Sequence, residues 1–395
     1  MSMHIPAGFL FAAASAGIKA SGRPDLAYAE APQGAIAAAL FTRNRVVASP
    51  VVVGRDHLKR TAGRLRAVIV NSGNANCANG KDGLRACERL CQSVAGLIET
   101  RPREVFPSST GIIGVPFPTE KALAGLPALI ADRGNDEAAV RRFAEAIMTT
   151  DTRPKIASAS FGAETHAGSV LGVAKGSGMI APNLATMLVY LFTDLQGDAR
   201  GLRQALTTAC DRSFNCICVD NDSSTNDTVL LLASGQSQAC LRAEPEPFSQ
   251  ALTSVCRSLA EQIVSDGEGV KHVVRLHIEG ARQRAEALVV ARSIARSMLV
   301  KTALSGCDPN WGRILAATGY SGVEINPKRV NIYIGSQQVC RQGNVCQYDA
   351  AAAHAYLCQP SYDIRVQLGR GRAGLEFLTT DLTTEYVKIN GEYST

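Results

Sequence analysis

The chain has 395 residues, 46% of them hydrophobic, which supplies a large buried core and excludes an intrinsically disordered protein. Lysines and arginines outnumber aspartates and glutamates by 41 to 35, and the excess is scattered rather than gathered on one face, which argues against nucleic-acid binding. No stretch reaches the ~20 apolar residues that span a bilayer, so we expect a cytoplasmic protein without a membrane partner.

The N-terminal run 7–17 (AGFLFAAASAG) has the length of the apolar region of a signal peptide. No lysine or arginine precedes it, however, and Lys19 follows closely, which disfavours secretion.

Farther along, residues 67–71 (AVIVN) predict a buried strand that leads into a loop of small residues. Apolar residues then recur at helical spacing between 84 and 98, which predicts an amphipathic helix.

Residues 105–114 (VFPSSTGIIG) predict a second loop, rich in serine, threonine and glycine, followed by a helix at 137–148. A glycine-rich turn after residue 172 leads into the apolar run 187–192, a predicted core strand. Beyond it the patterns predict helices at 203–210, 248–264 and 284–296, and strands at 273–278, 330–334, 364–368 and 375–378. Strands and helices mix without regular alternation, so the order favours a layered α+β fold over a barrel or a doubly wound sheet.

The twelve cysteines are interpreted as reduced thiols, because disulfide scaffolds are short secreted chains and this one is long. Cys216 and Cys218 form a C-x-C pair, and Cys87 and Cys91 are four residues apart on a predicted helix. Neither pair has a second cysteine or histidine pair at zinc spacing, so we expect buried structural thiols and no metal site.

The six histidines lie in neither a G-x-S-x-G nor an H-E-x-x-H context, which disfavours serine hydrolases and metalloproteases.

Thr186 offers a nucleophile with its own base. A threonine after a small residue in a constrained turn can attack the preceding carbonyl, here that of Ala185, and hydrolysis of the resulting ester frees its amine. An α-amino group has a pKa of about 7.7 to 8.0, so it can take the proton of the hydroxyl on the same residue. Taken alone, the Ala185-Thr186 pair is better explained as an ordinary strand start.

Residues 176–193 (GSGMIAPNLATMLVYLFT) resemble the self-cleavage motif of the ornithine acetyltransferase family, the bifunctional glutamate N-acetyltransferases of cyclic arginine biosynthesis. The similarity covers nearly the whole chain. Matching blocks in the family's order are GIK at 17–19, VNSGNAN at 70–76, STGIIG at 109–114, IMTTDTRPK at 147–155, STND at 224–227, DGEG at 266–269, VKT at 300–302, DPNWGR at 308–313 and the C-terminal residues 390–395.

The resemblance implies an α/β/β/α sandwich and self-cleavage between Ala185 and Thr186. An α chain of residues 1–185 and a β chain of residues 186–395 would stay associated, two of each. Thr186 would take acetyl from N-acetylornithine and pass it to glutamate, and bifunctional members also accept acetyl-CoA. No other cofactor is implied.

The matching blocks also carry site residues. Thr110 and Gly111 match the family's oxyanion hole, which would hold the negative charge of each tetrahedral step. The predicted substrate contacts are Thr152, Lys175, Thr186, Glu268, Asn390 and Thr395. We hypothesise that Lys175 pairs with a substrate carboxylate and that Glu268 faces the ornithine ammonium. The chain reads DGEGVK at 266–271 where many members read DGEGATK, so the loop after Glu268 is one residue shorter.

Two alternatives stay open. Water could accept the acyl group, which would make the protein a self-processing aminopeptidase or amidohydrolase with the same threonine nucleophile. A noncatalytic anion-binding protein could use the glycine-rich residues 176–178 as a cradle, although the spacing of a nucleotide P-loop is missing. Trp311, in the block 308–313, is interpreted as a structural residue near a helix start.

Overall fold

The structure is a computed structural model that describes residues 3–162, 166–181, 187–243 and 245–392. Its strands are β1 (Leu10–Ala14), β2 (Leu26–Phe41), β3 (Arg64–Asn74), β4 (Val105–Ile112), β5 (Lys155–Phe161), β6 (Gly168–Lys175), β7 (Leu188–Thr193), β8 (Ile217–Cys218), β9 (Thr228–Ala233), β10 (Val273–Ala281), β11 (Asn331–Ile334), β12 (Gln337–Arg341), β13 (Asn344–Val345), β14 (Ser361–Gln367) and β15 (Ala373–Thr380). Its helices are α1 (Ser49–Arg60), α2 (Gly80–Leu97), α3 (Thr119–Ala131), α4 (Glu137–Ala146), α5 (Ala199–Asp211), α6 (Pro245–Ser265), α7 (Arg284–Arg296), α8 (Met298–Ser305), α9 (Trp311–Gly319), α10 (Ala350–Leu357) and α11 (Thr384–Glu392).

These strands form two mixed sheets. The first has eight strands in the order β4-β3-β2-β9-β7-β6-β5, with β1 paired on β2. Within it β7 runs parallel to β9 and antiparallel to β6. The second has seven strands in the order β13-β12-β11-β14-β10-β15-β8. Helices cover the sheets, so the α+β prediction is confirmed.

Strand β2 contributes to three hydrophobic cores around the first sheet, and the core that holds Phe143 and Phe192 is here called the inner core. The pairing of β2 with β3 shifts register between Glu30 and Ala35, an irregularity that bends a strand. Before the shift, Tyr28 packs toward α2 and α3 while Ala29 faces the inner core. After it, Ala38 packs toward α5 and α6. Helices α2, α3, α5 and α6 therefore pack on faces of the sheet, while α4 packs in the inner core, which is a layered α+β arrangement.

Burial differs between the two sheets. Every residue of β7 (LVYLFT) and β9 (TVLLLA) is buried, as expected of strands that are covered on both faces. In β10, buried and partly exposed residues alternate instead. Val274, Leu276 and Ile278 pack in the core of the second sheet, here called the second core, while their neighbours are partly exposed. The predicted core strand at 187–192 and the predicted alternating strand at 273–278 are both confirmed.

The prediction of a loop over residues 105–114 is wrong for most of its length. β4 pairs in parallel with β3, starting at Val105 opposite Ala67. Ser109 in it is buried and bonded: its hydroxyl donates to Asn71 Oδ1 at 2.5 Å, and its carbonyl accepts from Asn226 Nδ2 at 2.8 Å. Hydrogen-bond partners offset the cost of burying these groups, which a loop-like composition does not reveal.

Other predicted segments lie in the cores. Phe11, from the N-terminal apolar run, is in β1 and packs edge-on against Phe143 and Phe192. Cys216 and Cys218 are buried in the second core, and all twelve cysteines are free thiols. No helix in the described part of the chain is both long and apolar enough to cross a bilayer.

Candidate active site

A cavity of about 260 Å³ opens where the ends of β4 and β6 approach α11. The predicted site residues that line it are Thr110, Gly111, Lys175, Glu268 and Asn390. They come from distant parts of the sequence, and the fold brings them to one place.

Three predicted site residues, Ala185, Thr186 and Thr395, lie outside the described residues. Met187, the next residue after Thr186, is described and buried. Its N–H donates to Asp227 Oδ1 at 3.1 Å, and its carbonyl accepts from the N–H of Thr228 at 3.1 Å. The nucleophile itself stays a prediction.

One wall of the cavity, here called the strand-end wall, consists of Thr110, Gly111 and Lys175. Gly111 has φ +132°, and a Cβ there would lie 2.3 Å from the carbonyl carbon of Gly73, so the close pairing of β4 and β3 requires glycine. Lys175 is only 5% exposed, and its Nζ donates to Thr110 Oγ1 at 3.3 Å. The wall thus presents hydroxyl and ammonium donors to the cavity.

Burial lowers the pKa of Lys175 from its ordinary value, while the carboxylates of Asp151, Asp227 and Glu268 act in the opposite direction. A buried ammonium gains most from a nearby anion, because little water solvates it. A carboxylate bound in the cavity would supply that anion.

A buried ion network supports this wall from behind. Lys155 Nζ lies 2.6 Å from both Asp151 Oδ1 and Asp266 Oδ2. Burial alone would raise the pKa of Asp151, but the charges of Lys175 and Lys155 outweigh it and lower that pKa to about 2. Asp151 also accepts the N–H of Gly176 at 2.7 Å, which ties the network to the glycine-rich loop.

Thr152, a predicted substrate contact, is exposed and is not among the residues that line the cavity. Its N–H and its hydroxyl both donate to the carboxylate of Asp266. The same motif block instead contributes Thr149 and Thr150 to the cavity. A substrate contact at Thr152 therefore stays a prediction.

A second part of the lining, here called the acidic wall, contains Asp220, Glu268, Tyr386 and Asn390. Asn390 Nδ2 donates to Glu268 Oε2 at 2.8 Å. Burial raises the pKa of Asp220 to about 6; backbone hydrogen bonds oppose this rise, and the negative charge of Glu268 adds to it. Burial also raises the pKa of Tyr386, with Asp220 contributing further.

The acidic wall depends on close packing of α11. Gly269 has φ +65°, and a Cβ there would lie 2.4 Å from the backbone nitrogen of Tyr386. The Thr383 hydroxyl donates to the Gly269 carbonyl at 2.6 Å. α11 therefore lies directly against the turn that carries Glu268, despite the one-residue-shorter loop.

Several lining residues were missed as site residues in the sequence. Thr150 and Asn226 belong to motif blocks, and that membership was an available signal. Asp220 and Tyr386 belong to none, and only the fold places them at the cavity. Asn226 also ties the segment before β9 to β4 and to the end of β3, because its Nδ2 donates to the carbonyls of Ala75 and Ser109.

The charges favour a ligand with a carboxylate at one end and an ammonium at the other. Lys175 would pair with the first, and Glu268 with Asp220 would face the second.

The alternative of an anion cradle at residues 176–178 fits poorly, because a Cβ on Gly178 would lie 2.5 Å from the Glu268 carboxylate. In the described part of the chain, no group of three histidine, cysteine, aspartate or glutamate side chains could hold a metal ion.

Two crystal structures show local similarity to this chain. The arginine biosynthesis bifunctional protein argJ from Bacillus halodurans is 38% identical with a TM-score of 0.49, covering 51% of this chain and 96% of that chain. The ornithine acetyltransferase from Mycobacterium tuberculosis, solved in complex with ornithine, is 37% identical with a TM-score of 0.40, covering 46% of this chain and 95% of that chain.

Sequence comparison extends over the full length. The arginine biosynthesis bifunctional protein ArgJ of Methylococcus capsulatus is 43% identical, covering 98% of this chain and 96% of the relative. The protein of the same name from Pseudomonas fluorescens is 40% identical, covering 100% of this chain and 98% of the relative. The profile of the ArgJ family matches residues 10–395. With that match and these relatives, the chain belongs to the ArgJ family.

Proposed function

We propose that the chain is an ornithine acetyltransferase of arginine biosynthesis, which moves acetyl from N-acetylornithine to glutamate through an acetyl ester on Thr186. Full-length relatives named for arginine biosynthesis support the pathway. The observation that carries the reaction is the cavity itself, with buried Lys175 and Thr110 on one wall and Glu268 on the other.

The proposal begins with self-cleavage. The Thr186 hydroxyl attacks the Ala185 carbonyl, so that a C–O bond forms and the peptide C–N bond breaks. Water then hydrolyses the ester, leaving a carboxylate on Ala185 and a free amine on Thr186. The products are an α chain of residues 1–185 and a β chain of residues 186–395. Met187 supports this assignment, because its bonds to Asp227 and Thr228 anchor the start of the β chain at the first sheet.

Transfer then takes two acyl steps. The Thr186 amine accepts the proton of its hydroxyl, the oxygen attacks the acetyl carbonyl of N-acetylornithine, and the proton passes to the departing ornithine amine. The glutamate amine next attacks the ester, which gives N-acetylglutamate and restores the hydroxyl. Each tetrahedral intermediate carries a negative oxygen, for which Thr110 and Gly111 are the proposed donors.

Substrate orientation follows from the two walls. Lys175 pairs with the α-carboxylate that both amino acids carry, and Glu268 with Asn390 faces the side-chain ammonium of the ornithine group. Thr152 and Thr395 remain proposed contacts. We further propose that acetyl-CoA serves as a second acetyl donor and that two α and two β chains assemble in the cytoplasm.

The test is product analysis by mass spectrometry after incubation of purified protein with N-acetylornithine and glutamate. We expect N-acetylglutamate and ornithine in equal amounts, and neither from a Thr186→Ala variant. Release of free acetate without acetylglutamate would instead identify a hydrolase. Replacing N-acetylornithine with acetyl-CoA in a parallel reaction measures the second donor.

A further inference from the structure

Loop 176–181 (GSGMIA), which precedes the proposed cleavage site, is held by hydrogen bonds along its length. The Gly176 N–H donates to Asp151 Oδ1 at 2.7 Å. The Ser177 carbonyl accepts from the N–H of Glu268 at 3.1 Å, and the Ile180 carbonyl accepts from the N–H of Val219 at 2.8 Å. Three separate parts of the fold therefore hold this loop.

Met179 is the strained residue of the loop. Its φ is +55°, in the left-handed region that residues with a Cβ rarely adopt. Its N–H donates to Asp220 Oδ2 at 2.6 Å, the short distance of a bond to a charged acceptor. The other oxygen of Asp220 accepts the N–H of Asp222 at 3.2 Å. The Asp220 carboxylate thus bridges the strained residue and the turn after β8.

Asp220 is itself supported from the C-terminal side. Tyr386 of α11 lines the cavity with Asp220, whose charge helps to raise the pKa of the Tyr386 hydroxyl, and the Thr383 hydroxyl accepts the N–H of Tyr386 at 3.2 Å. Strained backbone persists only where surrounding groups determine it, and such residues cluster at functional sites. At Met179 itself, the side chain that bonds the strained backbone is the half-buried carboxylate of Asp220.

We infer that Asp220 is a positioning residue for self-cleavage, because it holds Met179, upstream of the proposed cleavage site, in the left-handed conformation. On the far side of that site, Met187 is bonded to Asp227 and Thr228. Hydrogen bonds therefore hold Met179 before the proposed cleavage site and Met187 after it. The inference rests on the proposed function, since it assumes cleavage before Thr186.

The experiment follows cleavage in full-length precursor made by cell-free translation, by quantifying the intact and the two cut species over time. Asp220→Ala should slow cleavage about 10-fold or more, the range expected when a hydrogen bond to a charged group is lost. Asp220→Asn keeps an oxygen that accepts the Met179 N–H and should stay within about 3-fold of wild type. Asp211→Ala, which removes an exposed carboxylate on α5, is the matched control and should cleave at the wild-type rate.

A double variant separates positioning from a general folding defect. Glycine adopts positive φ without a steric cost, so Asp220→Ala with Met179→Gly should recover cleavage to within about 3-fold of wild type. Circular dichroism of each precursor checks that it is folded. Wild-type cleavage by Asp220→Ala, or a double variant no faster than the single one, would overturn the inference. Wild-type precursor that never cleaves would instead overturn the proposed function, so the two failures are distinguishable.

Discussion

The two walls of the cavity are built in different ways. Thr110 and Lys175 lie at strand ends of the first sheet and are 8% and 5% exposed, with a buried ion network behind them. Glu268 and Tyr386 lie in a turn and in the C-terminal helix, and both are partly exposed. Charged groups on a buried wall act with little screening, whereas Glu268 and Tyr386 stay partly in contact with water. We therefore expect the strand-end wall to determine the reaction rate and the acidic wall to determine substrate preference.

The largest effect should come from Lys175→Met, which keeps the volume of the side chain and removes its charge. A substrate carboxylate would then be buried without a partner, and kcat/KM for transfer should fall at least about 100-fold. Steady-state assays with N-acetylornithine and glutamate measure this. Lys81→Met, on the exposed face of α2, is the control. A loss below about 3-fold would remove Lys175 from the binding site.

Thr110→Val removes the proposed oxyanion hydroxyl and keeps the β-branched shape that the strand accommodates. Loss of one such donor should lower kcat by about 100-fold with little change in KM. Thr110→Ser retains the hydroxyl and should recover most of the rate. If valine and serine variants react equally fast, the hydroxyl has no part in the chemistry.

Acid should weaken the strand-end wall through Asp151. Its pKa is lowered from 3.8 to about 2, so its stabilising contribution is complete above pH 3.8 and is lost as the pH falls toward 2. The shift corresponds to roughly 2 kcal/mol of unfolding free energy. Urea unfolding at several pH values should show Asp151→Asn less stable than wild type at pH 7, with a shallower decline below pH 4. Equal slopes for both proteins would contradict this role, and Asp132→Asn serves as the exposed control.

Glu268→Gln should produce the smallest effect, because the acidic wall is partly solvated and Asn390 can still bond an amide. We expect about a 10-fold rise in KM for N-acetylornithine, a smaller change with acetyl-CoA as donor, and nearly unchanged self-cleavage. Glu246→Gln, at the exposed start of α6, is the control. Equal retention of ornithine transfer and cleavage would remove Glu268 from ornithine recognition.

The strand-end wall was also the more predictable of the two. Apolar runs predicted β7 and β3, and a family motif pointed to Thr110, Gly111 and Lys175. The composition of residues 105–112 did not indicate a strand. The hydrogen-bond partner that allows the Ser109 side chain to be buried comes from another segment, and composition does not show such a partner. Asp220 and Tyr386 had no sequence signal, since Asp220 reaches the cavity from the turn after β8 and Tyr386 reaches it through the packing of α11 against the turn at Gly269.

The most direct test of the central claim is the intact mass of both chains after brief exposure to N-acetylornithine without glutamate, followed by acid quenching. We predict an acetyl group on the β chain that begins at Thr186, and its disappearance when glutamate is added before quenching. The Thr186→Ala protein should stay uncut and unlabelled. An uncut preparation with full transfer activity, or acetyl on the α chain alone, would contradict a nucleophile released by cleavage at Thr186.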